Sequence, residues 1–262
     1  MSPELNIAHN AVLKAAKSIE QMVFKNELLS VQKKLQNNYV QQTHDTSLND
    51  LFFTLKRAYP EDVICLDETV LTDHSEAPRS WHLLPLDGAT NFLYGIPHCA
   101  ITLLLCEQKV AKQLFVFHPF NGDIFTATQG KGAFFNQRRM RLDQAKEAKA
   151  AVVATNLPGD EKLTAAHGLA LRTVNKEVAD CRILGCPSLD LAWVAAGKLD
   201  AYWQLNLSNT AIRAGQLMIT EAGGQCLDFN LSNNSLSSNQ VIAGNLKLSA
   251  HLGRLIKPTF SA

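Results

Sequence analysis

The residues whose types and order could do chemistry lie in Trp81-His82-Leu83-Leu84-Pro85-Leu86-Asp87-Gly88-Ala89-Thr90-Asn91-Phe92. The apolar run ending at Leu86 reads as a buried strand, and Asp87-Gly88 reads as the turn that stops it. Such a strand delivers a carboxylate to its C-terminal end, where α/β folds place active groups. Gly88 lets the backbone approach a ligand closely. The amides of Gly88, Ala89 and Thr90, if they open a helix, form an end that attracts phosphate. By itself, the Asp-Gly pair is more often an ordinary turn after a core strand.

The whole run resembles a signature of the inositol monophosphatase family, an apolar strand ending Asp-Pro-(Ile/Leu)-Asp-Gly-Thr-Thr-Asn-Phe. A second signature of that family is Trp-Asp, a small-residue helix and Thr-Glu-Ala-Gly-Gly. It is echoed by Thr210-Ala211-Ile212-Arg213-Ala214-Gly215 and then Thr220-Glu221-Ala222-Gly223-Gly224. Similarity continues through Asp123-Ile124-Phe125-Thr126-Ala127-Thr128, Leu189-Asp190-Leu191-Ala192-Trp193 and Val241-Ile242-Ala243-Gly244-Asn245. The resemblance spans nearly the full length, and the pattern looks nearest to the bacterial SuhB-type branch. It implies an α/β (α+β) fold, a layered αβαβα sandwich with its site between two halves, the habit of forming homodimers, and Mg²⁺-dependent hydrolysis of inositol phosphates. It also implies possible partners, since SuhB-type members join ribosomal-RNA transcription antitermination through NusA and RNA polymerase.

The departures from the pattern bear on function. In the family, Mg²⁺ is held by a Glu of a Glu-Glu-Ser turn, both Asp residues of the first signature, a backbone carbonyl between them, and the Asp of Trp-Asp. Matched position by position, these become Asp67, Leu84, Asp87, the Leu86 carbonyl and Ala211. The threonine that helps position the attacking water becomes Ala89, and an upstream Asp falls at His44, with Asp45 beside it. Four carboxylates become two, so the nominal ligand charge falls from about −4 to about −2. Mg²⁺ requires near-octahedral oxygen coordination, and an isobutyl group at position 84 offers none. Two-metal hydrolysis needs ions both to generate the nucleophile and to stabilise the leaving oxygen. The expected metal remnant is Asp67, Leu86 and Asp87, with Mg²⁺ weak or absent and no tightly bound cofactor.

Three residues offer substitutes, each with a plainer reading. Arg213 could bring a guanidinium toward the site, but it lies two residues from Ala211, about 200° around a helix, so solvent or a local carboxylate is the expected partner. His44 with Asp45 has the donor types of a transition-metal site, although such a pair in a polar loop is usually solvated. Glu68 matches the second acid of the family turn and would need a different backbone orientation to take the first one's place.

Composition sets the outer limits. The chain has 262 residues, 46% apolar and 19% charged, which is ordinary for a globular protein with a sizeable core. A net charge of +1 provides no global drive toward nucleic acid or anionic membrane. The six cysteines, at 65, 99, 106, 181, 186 and 226, form no Cys-x-x-Cys pair, and several sit in apolar runs, so buried free thiols in a reducing compartment are expected. Met1-Ser2-Pro3-Glu4 begins no secretory pattern, and no apolar run is long enough to span a bilayer; a cytoplasmic protein is expected.

The elements that must position these residues follow from periodicity. Ser2-Pro3 suits a helix start, with Leu5, Ala8, Val12, Ala16, Ile19 and Val23 at helical spacing. A second helix is expected from about Ser47 to Tyr59, stopped by Pro60. Strands are expected at residues 63–66, 81–86, 100–107, 110–117 and 124–128, a close spacing that suggests an antiparallel sheet. From residue 151 strands alternate with helices at 163–178, 187–196 and 211–222, suggesting a mixed or parallel sheet. The Ser- and Asn-rich residues 230–239 read as a surface loop. The expected division is an N-terminal α+β half, 1–145, and a C-terminal α/β half, 146–262, within one compact unit.

Three functions remain open: a pseudo-phosphatase with a regulatory or scaffold role, an active Mg²⁺ phosphomonoesterase, and a sensor that binds a phosphorylated small molecule at Gly88, Ala89 and Thr90 without hydrolysing it.

Overall fold

The computed structural model describes residues 2–27, 33–72, 77–143 and 147–260. The helices α1 (Pro3–Glu27) and α2 (Lys33–Ala58) open the chain. Ser2 Oγ accepts the Leu5 amide at 3.2 Å and so caps α1. The apolar positions Leu5, Ala8, Val12, Ala16 and Ile19 are buried along one face; the Val23 side chain lies outside the described residues.

The first sheet follows: β1 (Val63–Leu66), β2 (Thr69–Val70), β3 (Arg79–Asp87), then after the short α3 (Ala89–Leu93), β4 (Ala100–Glu107), β5 (Val110–His118), β6 (Asp123–Thr128), β7 (Gly132–Phe135) and β8 (Arg138–Arg139). Its order is β2-β1-β3-β4-β5-β6-β7-β8. The pairing of β1 with β3 is parallel, so this sheet is not wholly antiparallel. Close strand spacing missed that pair because β1 is joined to β3 through the intervening β2, a connection that local patterning does not reveal.

The second part comprises β9 (Val152–Thr155), α4 (Glu161–Asn175), β10 (Asp180–Ile183), α5 (Pro187–Ala195), β11 (Ala201–Leu205), α6 (Asn209–Glu221), β12 (Gln225–Leu227), α7 (Ser235–Ser238), β13 (Gln240–Gly244) and α8 (Leu246–Ile256). Its strands run β10-β9-β11-β13-β12, parallel through β11 and antiparallel at β13 and β12. The short α7 interrupts the expected surface loop and buries Ser235.

Three apolar clusters explain the layering. One joins α1 and α2 to the first sheet through Ile19, Leu51, Trp81 and Leu103. A second lies between the sheets and encloses α5 and α6, with Leu104, Leu189, Ile212 and Val241. The third packs α4 and α8 on the far face through Val174, Trp203 and Leu252. Helices, sheet, helices, sheet and helices alternate, giving the αβαβα sandwich. The expected boundary at 145/146 lies outside the described residues.

Two local findings matter for the site. The helix α2 starts at Lys33 instead of near Ser47, so His44 and Asp45 lie on a helix, not in a loop. In addition, β3 and β4 pair Leu84 with Thr102 and Asp87 with Ala100, which inserts one extra residue into β3. Pro85, within that interval, has no N–H for the ladder. In a regular strand, residues three apart face opposite ways; the bulge lets both Leu84 and Asp87 turn toward the α5 and α6 layer.

Candidate functional site

His44, Asp67, Leu84, Leu86, Asp87 and Ala211 line one cleft of about 420 Å³. They come from α2, the β1–β2 turn, the end of β3 and the start of α6, elements distant in sequence. Gln204, Asn206 and Ser208 also line it. Gly88, Ala89 and Thr90 are not part of the cleft lining: Gly88 is buried, Ala89 half-buried and Thr90 exposed.

The β1–β2 turn holds Asp67 in a left-handed conformation, φ 50°, which is uncommon outside glycine and tolerated by aspartate. Its amide donates to the Leu83 carbonyl at 2.9 Å, and the His82 imidazole bonds its carbonyl through Nδ1 at 2.8 Å. The backbone is therefore fixed, yet Asp67 Oδ1 is buried without a hydrogen-bond partner among the described residues. Glu68 points elsewhere. Its Oε1 lies 3.5 Å from Arg213 Nη1 and accepts the Thr210 hydroxyl at 3.4 Å. Arg213 thus meets a local carboxylate one turn into α6.

Asp87 has a different task. Its Oδ2 accepts the Ser188 amide at 2.7 Å. The residue before Pro187, Cys186, provides no side-chain cap for α5, so a carboxylate from β3 satisfies one of that helix's free amides. At Gly88, with φ 81°, an added Cβ would meet the His98 carbonyl oxygen at 2.8 Å, so the turn requires glycine. The following α3 has only five residues, and the Gly88 and Thr90 carbonyls accept from Phe92 and Tyr94.

Behind the cleft runs a buried polar chain that the sequence reading missed. His98 Nε2 lies 2.9 Å from Asp190 Oδ1, and Asn156 Nδ2 donates to Asp190 Oδ2 at 2.7 Å. Asn156 also donates to the Tyr202 hydroxyl at 3.1 Å, and that hydroxyl donates to Gln204 Oε1. Burial raises the Asp190 carboxyl above its usual range, opposed by the hydrogen bonds from His98 and Asn156. Asp190 lies in a stretch similar to the family, but nothing in its spacing points to His98, 92 residues away. Burial also pushes the Cys99 thiol up to about 12 and Cys186 well above the usual range, each with Asp87 adding in the same direction. Neither is a thiolate nucleophile at neutral pH. All six cysteines are free, with Cys181 half-buried and the other five buried.

The donor set bears on Mg²⁺. Leu84 and Ala211 bring hydrocarbon to the cleft, Asp87 serves α5, and no three His, Cys, Asp or Glu side chains converge as metal ligands would among the described residues. Leu84 and Ala211 themselves offer no oxygen to a Mg²⁺ ion at this cleft. Nor is any described helix long and apolar enough to cross a membrane.

The same arrangement of sheets and helices occurs in known proteins. The crystal structure of the extragenic suppressor protein suhB from Bartonella henselae superimposes with a TM-score of 0.88 at 31% identity, covering 98% of this chain and 99% of that one. In sequence, the Nus factor SuhB of Haemophilus influenzae is 30% identical over 100% of this chain and 98% of its own length. The inositol-1-monophosphatase of Rhizobium meliloti is 35% identical over 97% and 96%. The sequence model of the inositol monophosphatase family matches residues 1–259. With the five-layer fold, the Asp87-Gly88 turn and this match over almost every residue, the chain belongs to the inositol monophosphatase family.

Proposed function

We propose that this chain is a pseudo-phosphatase, a family member whose cleft does not assemble a catalytic Mg²⁺ pair and whose fold acts as a regulatory scaffold. The observation that carries this reading is the pair of aliphatic side chains, Leu84 and Ala211, that line the same cleft as Asp67 and Asp87. A metal between them would lose oxygen ligands on two sides and would compete with the Ser188 amide for Asp87. Relatives bearing the name Nus factor SuhB support the scaffold part. On this reading the chain joins a transcription antitermination assembly through a NusA-like protein or RNA polymerase, as a homodimer in the reducing cytoplasm.

The test is hydrolysis of inositol 1-phosphate by purified protein in excess Mg²⁺ or Mn²⁺, beside co-purification with NusA and RNA polymerase from the same source. We expect no metal-dependent turnover and a stable association. Turnover abolished by Asp87→Asn would refute the pseudo-phosphatase.

A second reading has its own support. Asp67, Asp87 and the Leu86 backbone do meet at one cleft, and a 35% identical relative is named inositol-1-monophosphatase. On that reading the protein is a weak phosphomonoesterase using these groups with Glu68, and the same assay decides between the two.

A further inference from the structure

Two helices cover the outer face of the first sheet, and they stop short of its far strands. The helix α2 packs over β3 and β1, and α1 over β5 and β4. Strands lie about 4.8 Å apart and packed helices about 8–10 Å apart, so one helix covers about two strands. The next place in that series is over β6 and β7. No helix among the described residues fills it, and a groove of about 890 Å³ lies there.

Strand register defines this groove. Ser2 Oγ donates to Gln113 Oε1 at 2.6 Å, and the His9 ring stacks on Phe115 with centroids 5.8 Å apart, which seats α1 on β5 as one wall. One strand further, Gln113 pairs with Thr128 and Phe115 with Thr126; beyond these lie Gly132 and Phe134. Thr128, Thr126 and Ile124 therefore form a floor about 14 Å long, the length of two to three helical turns. Leu5 on the wall and the half-buried Ile124 and Phe134 give it an apolar lining.

Charge is one-sided at the β6–β7 turn. No Asp or Glu lines the groove, whereas Lys131 does. Arg139, paired with Phe134, bends so that its guanidinium lies 3.1 Å from where a Cβ on Gly132 would stand. The neighbouring carboxylates are engaged: Glu4 with Arg79 and Gln113, Asp123 with Lys198 and Asn136, and Glu221 with the Gly130 and Gly132 amides. Neither Lys131 nor Arg139 makes an ion pair among the described residues.

We propose that this groove docks an amphipathic helix of a partner protein, its apolar stripe on Leu5, Ile124 and Phe134 and its carboxylates on Lys131 and Arg139. The docked helix becomes the third of the outer layer, burying the apolar floor and meeting the two cations. The groove shares no residue with the cleft, so the inference goes beyond the proposed function and stands apart from it.

Fluorescence anisotropy with the purified full chain tests it. The probe is a helix-stapled peptide of about 14 residues with leucines along one face and glutamates at one end. A control peptide carries lysines in place of the glutamates. We expect the acidic peptide to bind and the lysine peptide to bind at least about tenfold more weakly. Lys131→Glu with Arg139→Glu should weaken the acidic peptide by about tenfold or more and shift the preference to the lysine peptide. Asn6→Trp, at an exposed position on the α1 wall, should abolish binding by filling the groove, with its fold checked by circular dichroism.

Equal binding of the two peptides, binding of neither, or binding unchanged by the charge reversal or by Asn6→Trp would overturn the proposal. A dimer in sedimentation that Asn6→Trp splits, with no peptide bound, would also overturn it and give the groove to a second copy of the chain. None of these results bears on hydrolysis of inositol 1-phosphate, so the groove and the pseudo-phosphatase reading fail separately.

Discussion

The two ends of α6 carry the two halves of one sequence signature, and they are built differently. At its C-terminal end Glu221 accepts the amides of Gly130 and Gly132 at 2.6 and 2.7 Å, tying α6 to the turn between β6 and β7. Gly223 follows with φ 87°, and Gly224 is packed so closely that a Cβ would meet Leu142 Cδ1 at 2.3 Å and the Gly244 carbonyl oxygen at 2.7 Å. At the N-terminal end, Ala211 lies in the cleft lining, and Asn209 Oδ1 and the nearby Ser188 Oγ have no partners among the described residues. The C-terminal end therefore matches the family pattern where residues bear packing and backbone hydrogen bonds. The N-terminal end departs from it at Ala211, where the signature has aspartate. A fold and a reaction make separable demands on the same helix.

The largest effect that would sharpen this contrast is at the tightly packed end. We expect Gly224→Ala to cost about 3 kcal/mol, because the new methyl meets backbone as well as a flexible side chain; urea unfolding measures it, and a loss within 0.5 kcal/mol would show that this end is not as rigid as its geometry implies.

At the open end, Leu84→Asp with Ala211→Asp should destabilise the metal-free protein by about 2 kcal/mol, since two more carboxylates gather without a counter-charge. The same double variant should gain at least about tenfold in Mg²⁺ affinity by calorimetry, with part of the stability recovered when Mg²⁺ is added. No gain in affinity would mean that more than these two ligands separates the cleft from a metal site.

A pH titration monitors the interior apart from either end. Burial lowers the His118 imidazole below its usual range, with His98 adding to it, and burial likewise lowers His167. The folded state thus resists protons that the unfolded chain binds at about 6.5. Stability is full above that value and is lost as the pH falls through it toward the lowered folded values, with a slope of up to about 1.4 kcal/mol per pH unit for each group. Melting temperatures from pH 8 to 5 should show this decline, and His118→Gln with His167→Gln should flatten it.

The smallest effect is at the α6 cap. Ser208 Oγ accepts the Ala211 amide at 3.3 Å, and Ser208→Ala should cost about 1 kcal/mol with no change in Mg²⁺ affinity. If this single change altered Mg²⁺ binding, the helix start would be taking part in a metal site after all.

Much of this was legible in the chain itself. The alternation of apolar strands and helices located most elements within a few residues, because burial on one face imposes a period that sequence records directly. The start of α2 was not legible: residues 33–46 are mostly polar, and although Tyr39 and Val40 pack on the first core, so few apolar positions show no helical period. Thr43 and Ser47 are fully buried, and the Ser47 hydroxyl donates to the Pro85 carbonyl at 2.8 Å. The same error placed His44 in a loop, when its place on α2 puts it in the cleft lining.

The sequence alone determined which groups were available: Asp67 and Asp87, a glycine at the turn, and leucine and alanine at positions 84 and 211. Side-chain chemistry is local and is read one residue at a time. Only the tertiary structure decided what those groups do. The bulge in β3 turned Leu84 and Asp87 to the same side, the start of α5 claimed the Asp87 carboxylate, and Arg213 settled on Glu68. Each of these depends on distances between segments far apart in the chain, which packing sets and no local pattern encodes.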